Sequence, residues 1–233
     1  VKNILLVISK FHPEYTGASH RISSMYHRLE NYDSQINVEV LCNSTRFYDN
    51  KIYGFGGFKV RRLVFPLVTN CLPSRLSSIL KVYFEFFQAV CFFARSRPDL
   101  VHIVGHSGAT IAATLYFSIK QKPRIIELVT KGASPLQFLP GFRYTKFLAL
   151  NRQTVIIAIS EHLKTTCYRN GLWSNVWCRP NPVDVSRFSY ELNPRLAGKK
   201  PSVNSQREVK IGMIAKFMPQ KNQIFLLEVL NEC

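Results

Sequence analysis

The sequence predicts an α/β protein built on a doubly wound parallel sheet. Three apolar runs, ILLVIS, LVHIV and VIIAIS, have strand length and are continuous rather than alternating, which is typical of strands buried on both faces. Segments with apolar residues at helical spacing separate these runs, so strands and helices alternate along the chain. With 46% hydrophobic residues among 233, the chain can bury a substantial core.

The first half of the chain begins with a strand, a helix and two further strands. The strands are predicted at residues 1–9, 36–42 and 58–64, and the helix at residues 20–30, where apolar residues recur at helical spacing. Residues 43–57 are polar and contain three glycines, so we expect a loop there.

A long helix is predicted from Pro73 to about Arg95. Its five phenylalanines lie almost all around it, which is typical of a helix buried between a sheet and its neighbours. The alternative is that part of this helix reaches a membrane surface, with Arg95 and Arg97 at the headgroups. Its most apolar stretch, residues 79–94, contains Lys81 and Glu85, so no segment that spans a bilayer is predicted.

The second half continues the alternation of strands and helices. Strands are predicted at residues 99–104, 124–129, 154–159 and 175–179, and helices at residues 107–120 and 161–170. Residues 130–151 are interrupted by glycine and proline and are expected to be irregular.

The C-terminal part is predicted to begin a second domain. Residues 189–208 are polar, contain two prolines and several cations, and indicate an interdomain linker. Residues 209–215 predict a strand, and a helix is expected from Ile224 onward. We therefore expect a first domain at residues 1–188, a linker at 189–208, and the start of a second domain at 209–233.

The net charge of +17 requires an anionic partner or a strongly cationic face. Phosphorylated ligands and anionic membranes fit this charge, whereas no nucleic-acid-binding motif is visible. The six cysteines form no CxxC pair, which favours buried free thiols in a reducing compartment and no metal site. No signal peptide is predicted. We expect a cytoplasmic location, and the charge leaves open a peripheral contact with the inner face of the cytoplasmic membrane.

Ligands of open α/β sheets bind beyond the carboxyl ends of the strands, where four loops of this chain are expected to meet. These loops span residues 10–19, 104–107, 130–135 and 179–184. The first leads into Gly17, Ser19, His20 and Arg21, at a helix start that suits a phosphate or a sugar, although a structural turn explains it equally well. His106 follows the strand that contains His102, and both histidines are also explained as packed or surface residues.

Lys216 and Lys221 flank a loop between the predicted strand at 209–215 and the following helix. Two lysines five residues apart could bind one diphosphate there, beside the positive end of the helix dipole. They are equally well explained as solvated loop charges.

Four segments, in order along the chain, resemble motifs of retaining GT-B glycosyltransferases of the glycosyltransferase 4 type. KFHPEYTGASHRI resembles the opening F-x-P-x-x-G-G-x-x-x-R loop, with Gly17 at the first glycine. AISEHLKTTCYRNGL resembles the I-S-x-x-L-K segment, and RPNPVDVSRF resembles P-N-G-V-D-x-x-x-F with Pro182 in place of the glycine. AKFMPQKN resembles G-R-x-x-x-x-K-G, with Lys216 at the arginine and Lys221 at the lysine.

The resemblance implies a GT-B protein, with a Rossmann-like N-terminal domain followed by the first strand and helix of a second Rossmann-like domain. It implies a nucleotide-diphosphate sugar as donor substrate, a glycan or lipid-linked acceptor, and no metal or other cofactor. By this resemblance the donor diphosphate is bound by Lys216, Lys221 and Gly17. The implied cleft residues are Ser19, His20, Arg21, Thr130, Asn181 and Asp184.

The resemblance leaves the catalytic residue and the second domain incomplete. The histidine that family members carry near the reacting sugar falls on Thr130 or Lys131 here, so His106 or Glu127 would have to replace it. The Glu-x7-Glu motif of the family would lie beyond residue 233, and about 150 further residues are expected for a complete enzyme.

Two other functions remain open on the sequence. The chain could be a non-catalytic basic module that binds phosphorylated ligands or an anionic membrane. An NAD-dependent enzyme would require a Gly-rich fingerprint followed by a ribose-binding acid, and the fingerprint is missing.

Overall fold

The computed structural model describes residues 2–14, 16–44, 51–63, 73–129, 152–169, 172, 175–182 and 223–232. The chain divides into two compact units, Val1–Pro182 and Val183–Cys233. The strands are β1 (Lys2–Ile8), β2 (Ile36–Cys42), β3 (Ile52–Phe55), β4 (Phe58–Arg62), β5 (Leu100–Val104), β6 (Arg124–Leu128), β7 (Thr154–Ala158) and β8 (Val176–Cys178). The helices are α1 (Gly17–Tyr32), α2 (Ser74–Phe93), α3 (Gly108–Ile119), α4 (Glu161–Arg169) and α5 (Gln223–Glu232).

The eight strands form one sheet in the order β3-β4-β2-β1-β5-β6-β7-β8. All neighbouring strands are parallel except β3 and β4, which pair antiparallel. From β1 the chain proceeds outward to β2 and β4, then returns to add β5 on the other side of β1. The reversal between β1 and β5 is a topological switch point, and the doubly wound sheet predicted from the sequence is confirmed.

Each face of the sheet carries its own apolar core. In β1, Leu5 and Val7 belong to the cluster that includes residues of α2 and α3. Their neighbours Leu6 and Ile8 belong to the cluster that includes Ile22 of α1. Successive strand residues point to opposite faces, so burial on both faces explains the continuous apolar run at the N-terminus.

The loop predicted at residues 43–57 was wrong over its second part, because Ile52–Phe55 forms strand β3. Gly56 and Gly57 have φ angles of +55° and +86° and connect β3 to β4. Positive φ at both central residues is the requirement of the tight hairpin turn that matches strand twist. The Gly-Gly dipeptide between two aromatic residues was the sequence signal for this hairpin.

Helix α1 begins at Gly17, three residues before the predicted start at residue 20. The side chain of Thr16 caps the helix by accepting a hydrogen bond from Ser19 N at 3.1 Å. Thr16 N in turn donates to Ser19 Oγ at 3.1 Å, and this reciprocal capping box accounts for the earlier start.

The expectation that α2 is buried was wrong. Only one side of the helix is buried, with Glu85, Ala89 and Phe93 at 5%, 0% and 1% exposure. The stretch Leu76–Phe93 is long and apolar enough to cross a membrane by length and composition, with mean hydropathy 1.4 and 17% of it buried. The sequence prediction that no segment spans a bilayer concerns more than length and composition, and it stays a prediction for α2.

The second unit is described only over α5, which confirms the helix predicted from Ile224. The predicted linker at 189–208, the strand at 209–215 and the irregular segment at 130–151 lie outside the described residues.

Candidate functional site

The loops that follow β1 and β5 meet at the switch point of the sheet. Ser9 N donates a hydrogen bond to the carbonyl oxygen of Val104 at 3.2 Å. Gly105 has a φ of +84°, and a Cβ atom there would collide with Ser9 Oγ and lie 3.2 Å from Ser9 Cβ. Only glycine allows the two loops to approach this closely, so position 105 shapes the floor of the crevice.

The start of α1 borders this crevice and is open. Gly17 is exposed, and a Cβ atom added to it would meet nothing within 4 Å. The first turn of α1 contains no acidic residue that would neutralise the positive end of the helix dipole. Backbone N–H groups and the dipole therefore favour an anion here.

The start of α3, on the neighbouring strand connection, is closed. Gly108 N donates to Glu85 Oε2 of α2 at 3.0 Å. A Cβ atom at Gly108 would collide with the carbonyl oxygen of Val82 and lie 2.8 Å from Glu85 Cβ, so α2 and α3 are in backbone contact. Burial raises the pKa of Glu85, although the Gly108 amide and Lys81 oppose that shift. A carboxylate of the chain itself thus takes the anion position at α3.

A buried polar chain connects α1 with β5 and β6. Arg21 of α1 forms an ion pair with Glu127, whose side chain is only 2% exposed. Glu127 Oε2 lies 3.4 Å from His102 Nε2, without the geometry of a hydrogen bond. His102 Nδ1 lies 2.9 Å from the hydroxyl oxygen of Tyr26, so this series of polar contacts both begins and ends on α1. These contacts hold the first three turns of α1 against the sheet.

Within this polar chain His102 is neutral. Burial, and to a smaller extent the positive charge of Arg21, lower its pKa to about 3. The carboxylate of Glu127 does not reverse this shift, because its closer contact is with Arg21. Burial also raises the pKa of Tyr26. His102 is therefore a packed histidine, as one of the two interpretations of the sequence expected.

The β3–β4 hairpin positions the loop after β1. Tyr53 and Arg62 both contact the carbonyl oxygen of His12, Arg62 at 3.4 Å. The His12 ring stacks on Phe55 with 4.0 Å between the ring centroids, and Phe11 packs edge-on against the same ring. Sequence reasoning missed these supporting residues because it placed the segment in a loop.

The predicted site residues are brought together only in part. Gly17, Ser19, His20 and Arg21 share the first turns of α1, and Ser19 is buried in the capping box. His106 lies in the β5–α3 connection, directly after Gly105 and thus beside the β1 loop. Asn181 is exposed and follows β8, which is three strands away from β5 in the sheet. Four further predicted residues lie outside the described part of the chain: Thr130, Asp184, Lys216 and Lys221.

Among the described residues, no group of three histidine, cysteine or carboxylate side chains could hold a metal ion. The sequence-based expectation that no metal is needed stays a prediction. The candidate site consists of the backbone amides at the start of α1, the side chain of Arg21, and His106 in the β5–α3 connection.

No family model and no curated protein matches this chain. Solved structures do match. Sucrose-phosphate synthase (tll1590) from Thermosynechococcus elongatus aligns with a TM-score of 0.50 at 12% identity, over 77% of this chain and 48% of that one. An α,α-trehalose 6-phosphate synthase from Burkholderia multivorans aligns with a TM-score of 0.47 at 11% identity, over 73% and 43%.

A UDP-GlcNAc 2-epimerase from Neisseria meningitidis, bound to UDP-GlcNAc, aligns with a TM-score of 0.44 at 16% identity, over 76% of this chain and 46% of that one. The chain thus spans a little under half the length of these three proteins. At these identities the matches show the fold alone. The fold is α/β of the GT-B type, in which the described sheet corresponds to a Rossmann-like domain.

Proposed function

We propose that this chain is the acceptor-side part of a glycosyltransferase that moves a sugar from a nucleotide-diphosphate donor to an acceptor. The observation that carries the proposal is the open start of α1 at the switch point between β1 and β5. The GT-B type fold supports it, since two-domain enzymes of this fold place their substrates at the carboxyl ends of the strands. The ordered motifs that resemble retaining family 4 transferases support the finer assignment.

Within this proposal the residues at the crevice have separate roles. The amides near Gly17 face the donor phosphates, and the ion pair of Arg21 with Glu127 fixes the helix that carries these amides. Lys216 and Lys221 neutralise the leaving diphosphate. Ser19, His20, Thr130, Asn181 and Asp184 border the cleft, and His106 is the candidate for proton transfer near the reacting sugar.

The proposal extends to the cellular role. A glycan or lipid-linked acceptor, a role in envelope or extracellular polysaccharide synthesis, and a cytoplasmic location at the inner membrane face agree with the net charge of +17. Transfer proceeds with retention of configuration and without a metal, as the family resemblance implies.

The test is binding of nucleotide diphosphates to the chain, measured through amide shifts in NMR and by calorimetry with UDP, GDP and their sugar conjugates. We expect binding that perturbs the amides of residues 17–19. Gly17→Glu places a carboxylate at the open helix start and is expected to weaken binding at least about tenfold, because it opposes both dipole and ligand.

Gly17→Gln is the matched control, since it adds the same bulk without the charge and should weaken binding much less. Equal losses in the two variants would show that bulk rather than charge matters, and would remove the anion role of α1. An absence of nucleotide diphosphate binding by the unmodified chain would remove the donor-phosphate role of α1, and the transfer assay below tests the proposal as a whole.

A second function, a non-catalytic basic binding module, is favoured by a cation-lined groove beside α2. Transfer assays decide between the two. Release of nucleotide diphosphate from a sugar donor by the whole protein supports the transferase, and its absence across donors and acceptors supports the module.

A further inference from the structure

A groove of about 950 Å³ runs between α2 and the β3–β4 end of the sheet. We call it the α2 groove. One wall is apolar and comes from α2, including Leu80, Tyr83, Phe84 and Phe87. The other wall is cationic and comes mainly from β4 and the ends of the neighbouring elements. The lining cations are Lys51, Lys59, Arg61, Arg62 and Arg95.

The apolar wall is exposed well beyond what packing requires. Tyr83, Phe84 and Phe87 are 58%, 51% and 64% exposed, and Ile79 is 54% exposed. With Leu76 at 45%, these side chains recur at three- and four-residue spacing and so share one side of α2. The opposite side is the one that packs on α3. An exposed apolar strip of this length marks an interaction surface.

The cationic wall has more positive side chains than described carboxylates to balance them. Among the described residues that line the α2 groove, Glu39 is the only carboxylate. It lies 3.8 Å from Lys59 Nζ and 3.9 Å from Arg61 Nε, so one carboxylate serves two cations. Lys59 remains 62% exposed, and Arg95 is exposed at the end of α2. The groove therefore carries a net positive charge directly beside the apolar strip.

We propose that the α2 groove and the exposed side of α2 bind the surface of a bilayer that contains anionic phospholipid. The phenyl and aliphatic side chains enter the acyl boundary and Tyr83 lies at the interface. The exposed cations Lys59 and Arg95 contact headgroup phosphates. A soluble phosphate would bind the cations but would leave the apolar strip exposed to water. The aliphatic side chains of Leu76 and Ile79 at the end of this strip cannot form hydrogen bonds with a phosphate. A lipid surface uses both walls at once.

This inference does not rest on the proposed sugar transfer. Vesicle binding needs no nucleotide, and nucleotide binding at the crevice needs no vesicle, so each proposal can fail without the other.

The experiment is flotation of the whole chain with vesicles of phosphatidylcholine alone or with phosphatidylglycerol added. We expect binding to the anionic vesicles at low salt and a marked loss at high salt, since the Debye length falls from about 10 Å at 0.1 M to about 3 Å at 1 M. Phe84→Ser combined with Phe87→Ser should reduce binding at least tenfold. Lys59→Gln and Arg95→Gln should each reduce it roughly fivefold.

Matched controls come from surfaces outside the groove. Tyr32, 92% exposed at the end of α1, supplies an apolar control as Tyr32→Ser, and exposed Lys120 supplies a charge control as Lys120→Gln. Both should bind like the unmodified chain. Phe87→Trp adds a readout that keeps the apolar side chain: its added fluorescence should shift to the blue on anionic vesicles.

Three outcomes would overturn the proposal. The first is no binding of the unmodified chain to anionic vesicles. The second is equal losses in the groove variants and their controls, which would indicate charge attraction without a specific surface. The third is self-association that Phe84→Ser and Phe87→Ser abolish, without vesicle binding, which would assign the exposed side of α2 to a second copy of the chain.

Discussion

Two helices begin at the switch point with nearly the same local sequence, but the contacts around their N-terminal ends differ. α1 starts with Thr16-Gly17-Ala18-Ser19 and α3 with Ser107-Gly108-Ala109-Thr110. Both starts form a reciprocal capping box between the first and fourth of these residues. At α3, Glu85 occupies the helix end through the amide of Gly108. At α1, the neighbouring carboxylate of Glu127 binds the side chain of Arg21 instead.

The difference shows how one motif can serve structure or ligand binding. A carboxyl group that accepts from the backbone occupies the helix end and holds two helices together. A carboxylate that bonds to a side chain one turn later positions the helix and leaves its dipole unopposed. Four tests probe this comparison, in order of decreasing expected effect.

The largest effect is expected where the anchor of α1 is removed. Arg21→Met leaves the charge of Glu127 buried at 2% exposure without its cation, and should lower the free energy of unfolding by about 3–5 kcal/mol. Denaturant unfolding measures the loss. In the control pair Lys164–Glu161, Glu161 is 72% exposed, so Lys164→Met should cost less than about 1 kcal/mol. If Arg21→Met lowers the free energy of unfolding no more than Lys164→Met does, the ion pair of Arg21 with Glu127 does not hold α1 in place.

The two glycines give the next contrast. Gly108→Ala forces α2 and α3 apart, because the added Cβ meets backbone atoms, and should cost about 3 kcal/mol. Gly17→Ala enters open space and should change stability by less than about 0.5 kcal/mol. Thermal unfolding of the two variants measures this contrast. Similar losses of stability in both variants would show that the two helix starts are equally tolerant of a side chain.

Smaller and equal effects are expected at the caps. Thr16→Ala and Ser107→Ala each remove one capping side chain and should each cost about 1 kcal/mol. Chemical denaturation compares them. A cost at Ser107 far above that at Thr16 would show that the two starts already differ in their local capping, rather than only in their long-range contacts.

The smallest effect concerns the titration of Glu85. Because burial raises its pKa, the folded state keeps the proton at pH values where the unfolded state, with a pKa near the ordinary 4.5, has lost it. The resulting stabilisation is fully present below the unfolded-state pKa and is lost as the pH rises through the folded-state pKa. Glu85→Gln should therefore gain stability relative to the unmodified chain as the pH rises above the ordinary pKa of 4.5. Unfolding curves that stay parallel across this range would contradict the assignment.

Much of this architecture was predictable because it depends on short-range pattern. The apolar runs at residues 4–8 and 100–104 identify strands buried on both faces, and residues such as Leu5 and Leu6 show that both faces are covered. The Gly17 to Arg21 cluster was predictable as a candidate site, since helix starts after parallel strands face the ligand edge. The hairpin at Gly56–Gly57 was equally readable but was overlooked.

Which helix start stays open was not predictable from sequence, because the difference comes from Glu85, which is 23 residues before Gly108 along the chain. The exposed side of α2 was unpredictable for a related reason. Its phenylalanines surround the helix, so the sequence by itself determined that α2 forms and that it is apolar. Only the tertiary structure decided that α3 covers Phe93 and leaves Phe87 exposed, since burial depends on neighbours that are distant in sequence.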